Sequence, residues 1–350
     1  MNIKSYLNQV SDIYKLQLPS IKNTIVMGNT SCDLDSVSSC LLMSILKNYI
    51  EGNFESLDSF NPHILSIKPA DQIKKLFIPI LACGKSELFF RLEIKLILSI
   101  IKVDQTDFIY FEDINFIGKE LILVDHHELD FDHQHLKDLI IEIYDHHDET
   151  GFNFESTYLN LKQPPNIGVP RCSALSLVLE DLFYDKINKI GDDKIVGGIC
   201  DGIGRRELLL QYLFGVKPID EFEKIITENP MIDIFICPLI IDSGNFKKGG
   251  LDSKWSQIDF ELLMKILNRN NHSGVILSSR HSIKKSNTLK SSHKENNNIK
   301  PHEEGDTDTD DENIKVPKYY NLFIEDLSLR ASFRSKRMAV VDDCLLKLDS

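Results

Sequence analysis

Short apolar runs alternate with helical patterns along the first half of the chain. Four β-rich apolar runs occupy residues 24–27, 108–111, 121–124 and 140–144. After the first run, apolar residues recur at helical spacing from Val37 to Tyr49, and a second helical pattern follows Cys172. Short strands that alternate with helices are typical of an α/β fold built on a parallel sheet. We therefore predict such a sheet for this part of the chain.

The sequence of the second half of the chain indicates a domain boundary followed by a second domain. The apolar run IFICPLIID ends at Asp242, and we interpret it as a further strand of the first domain. A stretch with glycines and lysines but no apolar periodicity follows. We expect a first domain over residues 1–245, a linker over 246–256 and a smaller domain over 257–350. Residues 280–315 contain no aromatic residue and divide into a basic and an acidic half, so we predict a disordered insertion there.

Composition restricts the class of partner and the compartment. The chain has 53 acidic against 40 basic residues, and the resulting net charge of −13 argues against a polynucleotide partner. Its seven cysteines are scattered without a Cys-x-x-Cys pair, which argues against a disulfide framework and against a thiolate zinc site. No segment approaches the roughly 20 apolar residues of a membrane span. We expect a soluble, cytoplasmic protein.

Polar side chains with metal-binding chemistry follow the predicted strands. They are Asp33 and Asp35, Asp125 and His126, Asp145 with His146 and His147, and Asp242. Parallel sheets place ligands at the carboxyl ends of their strands, so these groups are expected to meet. Several carboxylates in one cleft repel each other unless cations neutralise them. Carboxylate and imidazole ligands favour Mg²⁺ or Mn²⁺, and two such ions about 3.5–4 Å apart can hold phosphoryl oxygens.

Simpler interpretations exist for each of these groups taken alone. Asp33 and Asp35 have the position of residues that cap a helix beginning near Ser36. A single Asp-His-His sequence is no more than a polar loop tip. Two of them, together with the Asp-x-Asp sequence and all after β-rich runs, favour a metal site. The spacing of Asp242 fits a linker residue as well as it fits a ligand.

Five motifs resemble, in the same order, those of the DHH phosphoesterase superfamily. They are GNTSCDLDS at 28–36, LVDHHE at 123–128, YDHHDE at 144–149, PRCSAL at 170–175 and IIDSGNF at 240–246. Asn29 stands where family II inorganic pyrophosphatases carry a histidine, so the chain is more similar to the exopolyphosphatase and Prune branch. The resemblance covers roughly residues 20–260. It implies a DHH domain followed by a smaller α/β domain of the DHHA2 type.

The resemblance also implies roles for individual residues. The metal-ligand positions of the family correspond to Asp33, Asp35, Asp125, His146 and Asp242. His147 corresponds to the histidine that faces the substrate and assists departure of the leaving phosphate. Asn29, His126, Arg171 and Arg334 are expected on the substrate side. Arg171 belongs to PRCSAL, where relatives carry small residues, and Arg334 belongs to SLRASFR, which resembles a cationic DHHA2 motif.

The function that this resemblance implies is metal-dependent hydrolysis of phosphoanhydride bonds. The expected reaction is exopolyphosphatase-type release of terminal phosphate from inorganic polyphosphate, with two Mn²⁺ or Mg²⁺ ions as cofactors. Only residues 335–350 follow Arg334, so we expect an incomplete substrate clamp and weak activity. Two alternatives stay open: a Prune-like protein that binds a partner through 280–315, with weak or no hydrolysis, and a nucleotide phosphodiesterase.

Overall fold

The computed structural model describes a large part of the chain. The described residues are 3–56, 65–149, 151–168, 170–184, 209, 210, 213, 231–243 and 255–270. The charged segment 280–315, Arg334 and most of the predicted linker and second domain lie outside them.

The described strands form one parallel sheet and one hairpin. They are β1 (Lys22–Met27), β2 (Phe54–Ser56), β3 (Leu65–Ile67), β4 (Lys75–Leu81), β5 (Ile109–Tyr110), β6 (Glu120–Val124), β7 (Ile140–Asp145) and β8 (Asn166–Ile167). The six-stranded sheet has the order β5-β4-β1-β6-β7-β8, and all of its neighbouring strands run parallel. The strands β2 and β3 pair antiparallel. The predicted parallel α/β fold is confirmed.

Helices cover the sheet on the described part of the chain. They are α1 (Ile3–Lys15), α2 (Leu34–Ile50), α3 (Leu92–Ile100), α4 (Phe154–Thr157), α5 (Ala174–Tyr184), α6 (Met231–Asp242) and α7 (Gln257–Asn270). Short 3₁₀ helices occupy Ala70–Gln72, Glu87–Phe90, Gln105–Asp107, Phe111–Asp113 and Phe131–Leu139. None of the helices described in the structure has both the length and the apolar character that a membrane crossing requires.

The central strands are continuous apolar runs because helices exclude water from both of their faces. The run LILV in β6 is fully buried, and every residue of β7 is buried. The four strand runs predicted in the first half of the chain all form strands, although the run 108–111 contributes only Ile109 and Tyr110 and then turns into a 3₁₀ helix. The register pairs Met27 of β1 with Ile80 of β4 and Leu123 of β6. The loops that follow these three strands therefore leave the sheet at the same edge.

Helix α2 is buried on almost every side. It packs against β1 and β4 of the sheet and against α5 and α6. Because its serines and Asn48 are buried along with its apolar residues, it is a core helix rather than a surface helix. It begins at Leu34, two residues before the predicted start near Ser36, and Asp33 is its N-cap. The start of this central helix therefore lies directly at the carboxyl edge of the sheet.

The interpretation of IFICPLIID as a strand was wrong. Residues Met231–Asp242 form helix α6, with Pro238 inside it. A continuous apolar run has no periodicity that separates a strand from a buried helix, and a length of 12 residues is typical of a helix. Asp242 consequently lies at a helix end and not at the end of a strand.

Helix α7 is the described part of the predicted second domain. It packs against α5 and α6. Its buried residues include Leu262, Leu263 and Ile266. The chain immediately after the predicted linker therefore lies on the first domain.

Candidate active site

Three loops meet at the carboxyl edge of the sheet. They follow β1, β6 and β7, which are neighbours in the order β1-β6-β7. The His127 Nδ1 atom hydrogen bonds to the Asp145 carboxylate, and the His146 Nε2 atom lies 3.3 Å from Asp125 Oδ1. The prediction that both Asp-His-His sequences deliver their side chains to one place is confirmed.

Asp125 is a deeply buried carboxylate of this site. Its side chain is 2% exposed, and its backbone has a left-handed φ of 63°. The backbone N–H donates to Tyr144 O at 2.8 Å, which anchors the turn to the neighbouring strand. Asn29 Nδ2 donates to Asp125 Oδ2 at 2.7 Å and to its carbonyl at 3.2 Å. Asp125 Oδ1 is buried and accepts no hydrogen bond.

Electrostatics make the ionised form of Asp125 unfavourable in the protein alone. Burial raises its pKa well above the ordinary range, and the charges of Asp35, Asp33 and Asp145 raise it further. An unpartnered, buried carboxylate oxygen among other carboxylates costs stability unless a cation is present. The arrangement fits a cation.

His146 points a lone pair into the same space. Its Nδ1 atom lies 3.1 Å from the carbonyl oxygen of Arg171. A carbonyl can only accept, so Nδ1 carries a proton, and in the neutral ring Nε2 then carries the lone pair. Nε2 lies 3.3 Å from Asp125 Oδ1 and 3.6 Å from Asp35 Oδ2. Three acceptor atoms that face one another at these distances are typical of metal ligands.

Asp35 is held by hydrogen bonds from two helices. It accepts from Ser39 Oγ at 3.0 Å within α2, and from Ser173 Oγ at the start of α5. The first backbone N–H groups of α5 also donate to it, that of Ala174 at 2.8 Å and that of Leu175 at 3.1 Å. The N-terminus of a helix favours an anion. These donors hold the Asp35 carboxylate in one orientation.

Asp33 caps α2, as the simpler interpretation of the sequence proposed. Its Oδ1 accepts from Ser36 N at 3.0 Å and its Oδ2 from Ser31 Oγ at 3.2 Å. Burial raises the pKa of Asp33, and the charge of Asp35 adds to this rise. Although Asp33 caps the helix, its carboxylate still interacts electrostatically with Asp35 in the site. Gly28 is required before it, because a Cβ there would lie 2.0 Å from Ser36 Oγ.

Asp145 organises the histidines, a role that the sequence did not identify. It is fully buried and accepts hydrogen bonds from the Nδ1 atoms of His127 and His147 and from the backbone N–H groups of His146 and His147. Burial alone would raise the pKa of Asp145, but the bonds from His127 and His147 hold it well below its usual range. The ring of His127 packs edge-on against Phe152 at 5.1 Å. The signal in the sequence that could have identified this role of Asp145 was its position as the last residue of a buried strand.

Three residues that were predicted on the substrate side make hydrogen bonds to other groups of the chain. His126 Nδ1 lies 2.9 Å from Val124 O, and burial lowers the pKa of His126. Arg171 donates to Glu180 Oε2 and to Ser256 Oγ, both at 2.7 Å. Asn29, as described above, donates to Asp125. The predicted substrate-side roles of these three residues stay predictions, since each has a partner within the chain.

Asp242 lies half-buried at the end of α6. Its charge acts on the Cys172 thiol, whose pKa is raised first by burial and then by Asp259, Asp35 and Asp242. This places Asp242 in the neighbourhood of the loop that carries Cys172. Arg334 lies outside the described residues.

One group of described residues has atoms close enough to share a metal ion. Asp125, His146 and His147 each offer one ligand atom, and these atoms lie within 4.8 Å of one another. Together with Asp35, they form a set of carboxylate oxygens and imidazole nitrogens, which suits Mn²⁺ or Mg²⁺. The sequence assigned His147 to the substrate side, and its proximity to the ligands is compatible with either role.

A comparison with protein-family models matches a continuous part of the chain and not only the separate motifs. The model of the DHH family, N-terminal domain, matches residues 23–203, which is more than half of the 350 residues. The chain belongs to the DHH family. The match includes the loops that carry Asp33, Asp35, Asp125 and His146.

Curated relatives support the Prune and exopolyphosphatase branch of this family. Exopolyphosphatase PRUNE1 of Rattus norvegicus and that of Mus musculus are each 29% identical to this chain over 128 residues. The alignment covers 35% of this chain and 24% of either relative. The chain therefore matches about a quarter of the length of these curated relatives.

A solved structure is also similar. A crystal structure assigned to the family II inorganic pyrophosphatases, from Methanococcus jannaschii, has a TM-score of 0.38 and 18% sequence identity to this chain. The match covers 72% of this chain and 57% of that one.

Proposed function

We propose that this DHH-family protein is a metal-dependent hydrolase that releases terminal phosphate from inorganic polyphosphate. The observation that carries the proposal is the set of facing acceptors formed by His146 Nε2, Asp125 Oδ1 and Asp35 Oδ2. Such a set suits a cation, and divalent cations with oxygen and imidazole ligands suit phosphate chemistry. The similarity to exopolyphosphatases supports the choice of substrate.

The residues that would hold Mn²⁺ or Mg²⁺ are Asp33, Asp35, Asp125 and His146, with Asp242 as a further candidate. When bound, the cations neutralise the charge of the phosphates and activate a water molecule for attack on phosphorus. The protein keeps these ligands in place through its own hydrogen bonds. Asn29 orients Asp125, the Arg171 carbonyl orients His146, and the start of α5 orients Asp35.

His147 has the position of a group that acts on the substrate. Its Nδ1–H donates to Asp145 at 2.7 Å, so Nε2 is the atom that can meet a phosphate oxygen. The side chain is 55% exposed, so a substrate in solution can reach it. Asp145 raises the pKa of His147 through this hydrogen bond, which helps the ring to keep a proton for the leaving phosphate.

Phosphate release tests the proposal directly. The full chain is incubated with Mn²⁺ or Mg²⁺ and, in parallel, with pyrophosphate, tripolyphosphate, long polyphosphate and a cyclic nucleotide. We expect release of phosphate from tripolyphosphate and long polyphosphate that EDTA abolishes and excess Mn²⁺ restores. A preference for the cyclic nucleotide would favour the phosphodiesterase alternative. Release that is insensitive to EDTA, or none from any of the substrates, would reject the proposed function.

A further inference from the structure

The segment 171–175 touches two of the candidate metal ligands at once. The Arg171 carbonyl accepts from His146 Nδ1 at 3.1 Å, and this bond leaves the Nε2 lone pair free for a cation. Ser173 Oγ and the backbone N–H groups of Ala174 and Leu175 bind the Asp35 carboxylate. The position of this short segment therefore sets the direction of both ligands.

The beginning of α7 holds the same segment from the other side. The Asp259 side chain, fully buried, accepts the backbone N–H of Cys172 at 3.2 Å. The same carboxylate oxygen accepts from Ser256 N at 2.7 Å and from Ser256 Oγ at 2.9 Å. Ser256 Oγ in turn accepts from the Arg171 guanidinium at 2.7 Å. Each of the two residues thus binds the segment between the ligand contacts.

Other contacts place the segment in a close-packed setting. The Arg171 guanidinium pairs with the buried Glu180 of α5 at 2.7 Å, and Cys172 Sγ lies 3.8 Å from Leu239 O of α6. At Gly168, just before the segment, a Cβ would lie 2.8 Å from Arg171 Cγ. A packed segment transmits a small displacement instead of absorbing it. Loss of the α7 contacts should therefore be felt at His146 and Asp35.

We infer that Asp259 and Ser256 are positioning residues for the metal ligands: they hold the segment 171–175 so that it fixes the tautomer of His146 and the orientation of Asp35. The inference rests on the proposed function only in treating these two ligands as metal ligands. It also couples the site to the end of the predicted linker and to the first turn of α7, where Ser256 and Asp259 respectively lie. A displacement of α7 would then weaken metal binding without any change in the ligands.

The test compares three variants of the full chain with the parent. Asp259→Ala removes the acceptor for Cys172, Asp259→Asn retains an acceptor oxygen without the charge, and Ser256→Ala removes the hydroxyl that binds Arg171. Glu120→Ala is the control, because it breaks ion pairs with Lys22 and Lys75 at the opposite, amino edge of the sheet. Thermal melting of each variant gives the general loss of stability against which the other measurements are compared.

The first measurement is ¹⁵N NMR of the His146 imidazole in the metal-free protein, assigned with His146→Gln. We expect the Nδ1–H tautomer in the parent, in Asp259→Asn and in Glu120→Ala. We expect a mixture of tautomers in Asp259→Ala and a smaller shift of the same kind in Ser256→Ala. The second measurement is Mn²⁺ binding by calorimetry, where Asp259→Ala should weaken affinity roughly 10-fold and Asp259→Asn should recover most of the loss.

Several outcomes would overturn the inference. One is a parental tautomer pattern in both Asp259→Ala and Ser256→Ala, and another is an equal change in Glu120→Ala. If Asp259→Ala does not fold, Ser256→Ala and Asp259→Asn decide the question by the same criteria. If the parent binds no Mn²⁺, the proposed function fails, while the NMR comparison still decides whether α7 positions His146.

Discussion

At the amino edge of the sheet Glu120 meets three lysines, whereas at the carboxyl edge Asp125 meets other carboxylates. Glu120 pairs with Lys22 at 2.6 Å, with Lys75 at 3.5 Å and with Lys162. Burial alone would raise the pKa of Glu120, but the three lysines lower it to about 2. Burial raises the pKa of Asp125, and its carboxylate neighbours raise it further. Both carboxyl groups belong to the same strand region, β6, yet their pKa values move in opposite directions.

This difference separates an edge of the sheet whose charges compensate one another from an edge whose charges do not. At the amino edge the charges compensate one another within the chain, so folding is favoured. At the carboxyl edge the chain alone leaves negative charges close together, and one buried oxygen of Asp125 has no donor. Groups with unfavourable pKa values tend to cluster at functional sites, where a ligand supplies what the protein lacks.

The largest effect is expected for Asp125→Asn, which removes a negative charge at the carboxyl edge of the sheet. The variant keeps the shape of the side chain but removes a charge that the cation needs, so hydrolysis should fall by about 10³-fold or more. The melting temperature of the metal-free variant should equal or exceed that of the parent, since carboxylate repulsion is relieved. Phosphate release and calorimetric melting measure the two effects. A folded variant with parental turnover would contradict the ligand assignment.

The two histidines of YDHHDE should respond differently to substitution, which sharpens the picture of the carboxyl edge. His146→Gln removes the Nε2 lone pair beside Asp125 and should weaken Mn²⁺ binding. His147→Gln should leave Mn²⁺ affinity nearly parental and lower turnover by roughly 10²-fold, the range of general acid catalysis. Calorimetry for Mn²⁺ and steady-state kinetics distinguish the variants. Equal loss of metal affinity in both would place His147 among the ligands.

Added Mn²⁺ should compensate the negative charges at the carboxyl edge, and it should stabilise the protein because it binds only the folded state. At a Mn²⁺ concentration 100 times its Kd, the stabilisation is about 2.7 kcal/mol for one site. The melting temperature of the parent should rise by several degrees, and that of Asp125→Asn should rise less. Glu120→Gln serves as the matched control, and its Mn²⁺-dependent rise should equal that of the parent. A parent whose melting temperature does not respond to Mn²⁺ would argue against the site.

The smallest effect concerns the amino edge and its dependence on pH. The pKa of Glu120 is about 2 in the folded protein against an ordinary 4.5, so its contribution is present above pH 4.5 and is lost as the pH falls towards 2. After allowance for solvent screening, Glu120→Gln should cost about 1–2 kcal/mol at pH 7. Parent and variant should converge in stability as the pH falls through about 2. Urea unfolding at several pH values measures this, and a constant difference down to pH 2 would disprove the linkage.

Local patterns in the sequence predicted four of the eight described strands, including those that precede Asp125 and Asp145, but they did not identify β4 (Lys75–Leu81), which pairs with β1. The runs before Asp125 and Asp145 are apolar because both faces of a parallel strand are buried, so their ends were readable. The run before Asp242 misled for a related reason. It is apolar throughout because α6 is a core helix, and such a run carries no period.

The contacts among side chains were decided by the tertiary structure. The sequence by itself determined that two Asp-His-His sequences and an Asp-x-Asp sequence follow strands, because chain chemistry and strand periodicity are local properties. It did not determine that Asp145 would bind His127 and His147, nor that Asp259 would reach Cys172, 87 residues away in the chain. Such contacts depend on strand order and on how helices pack across the sheet, and neither is encoded by the spacing of residues within a motif. The roles of Asp145 and Asp259 therefore became visible only when the strands and helices were placed together.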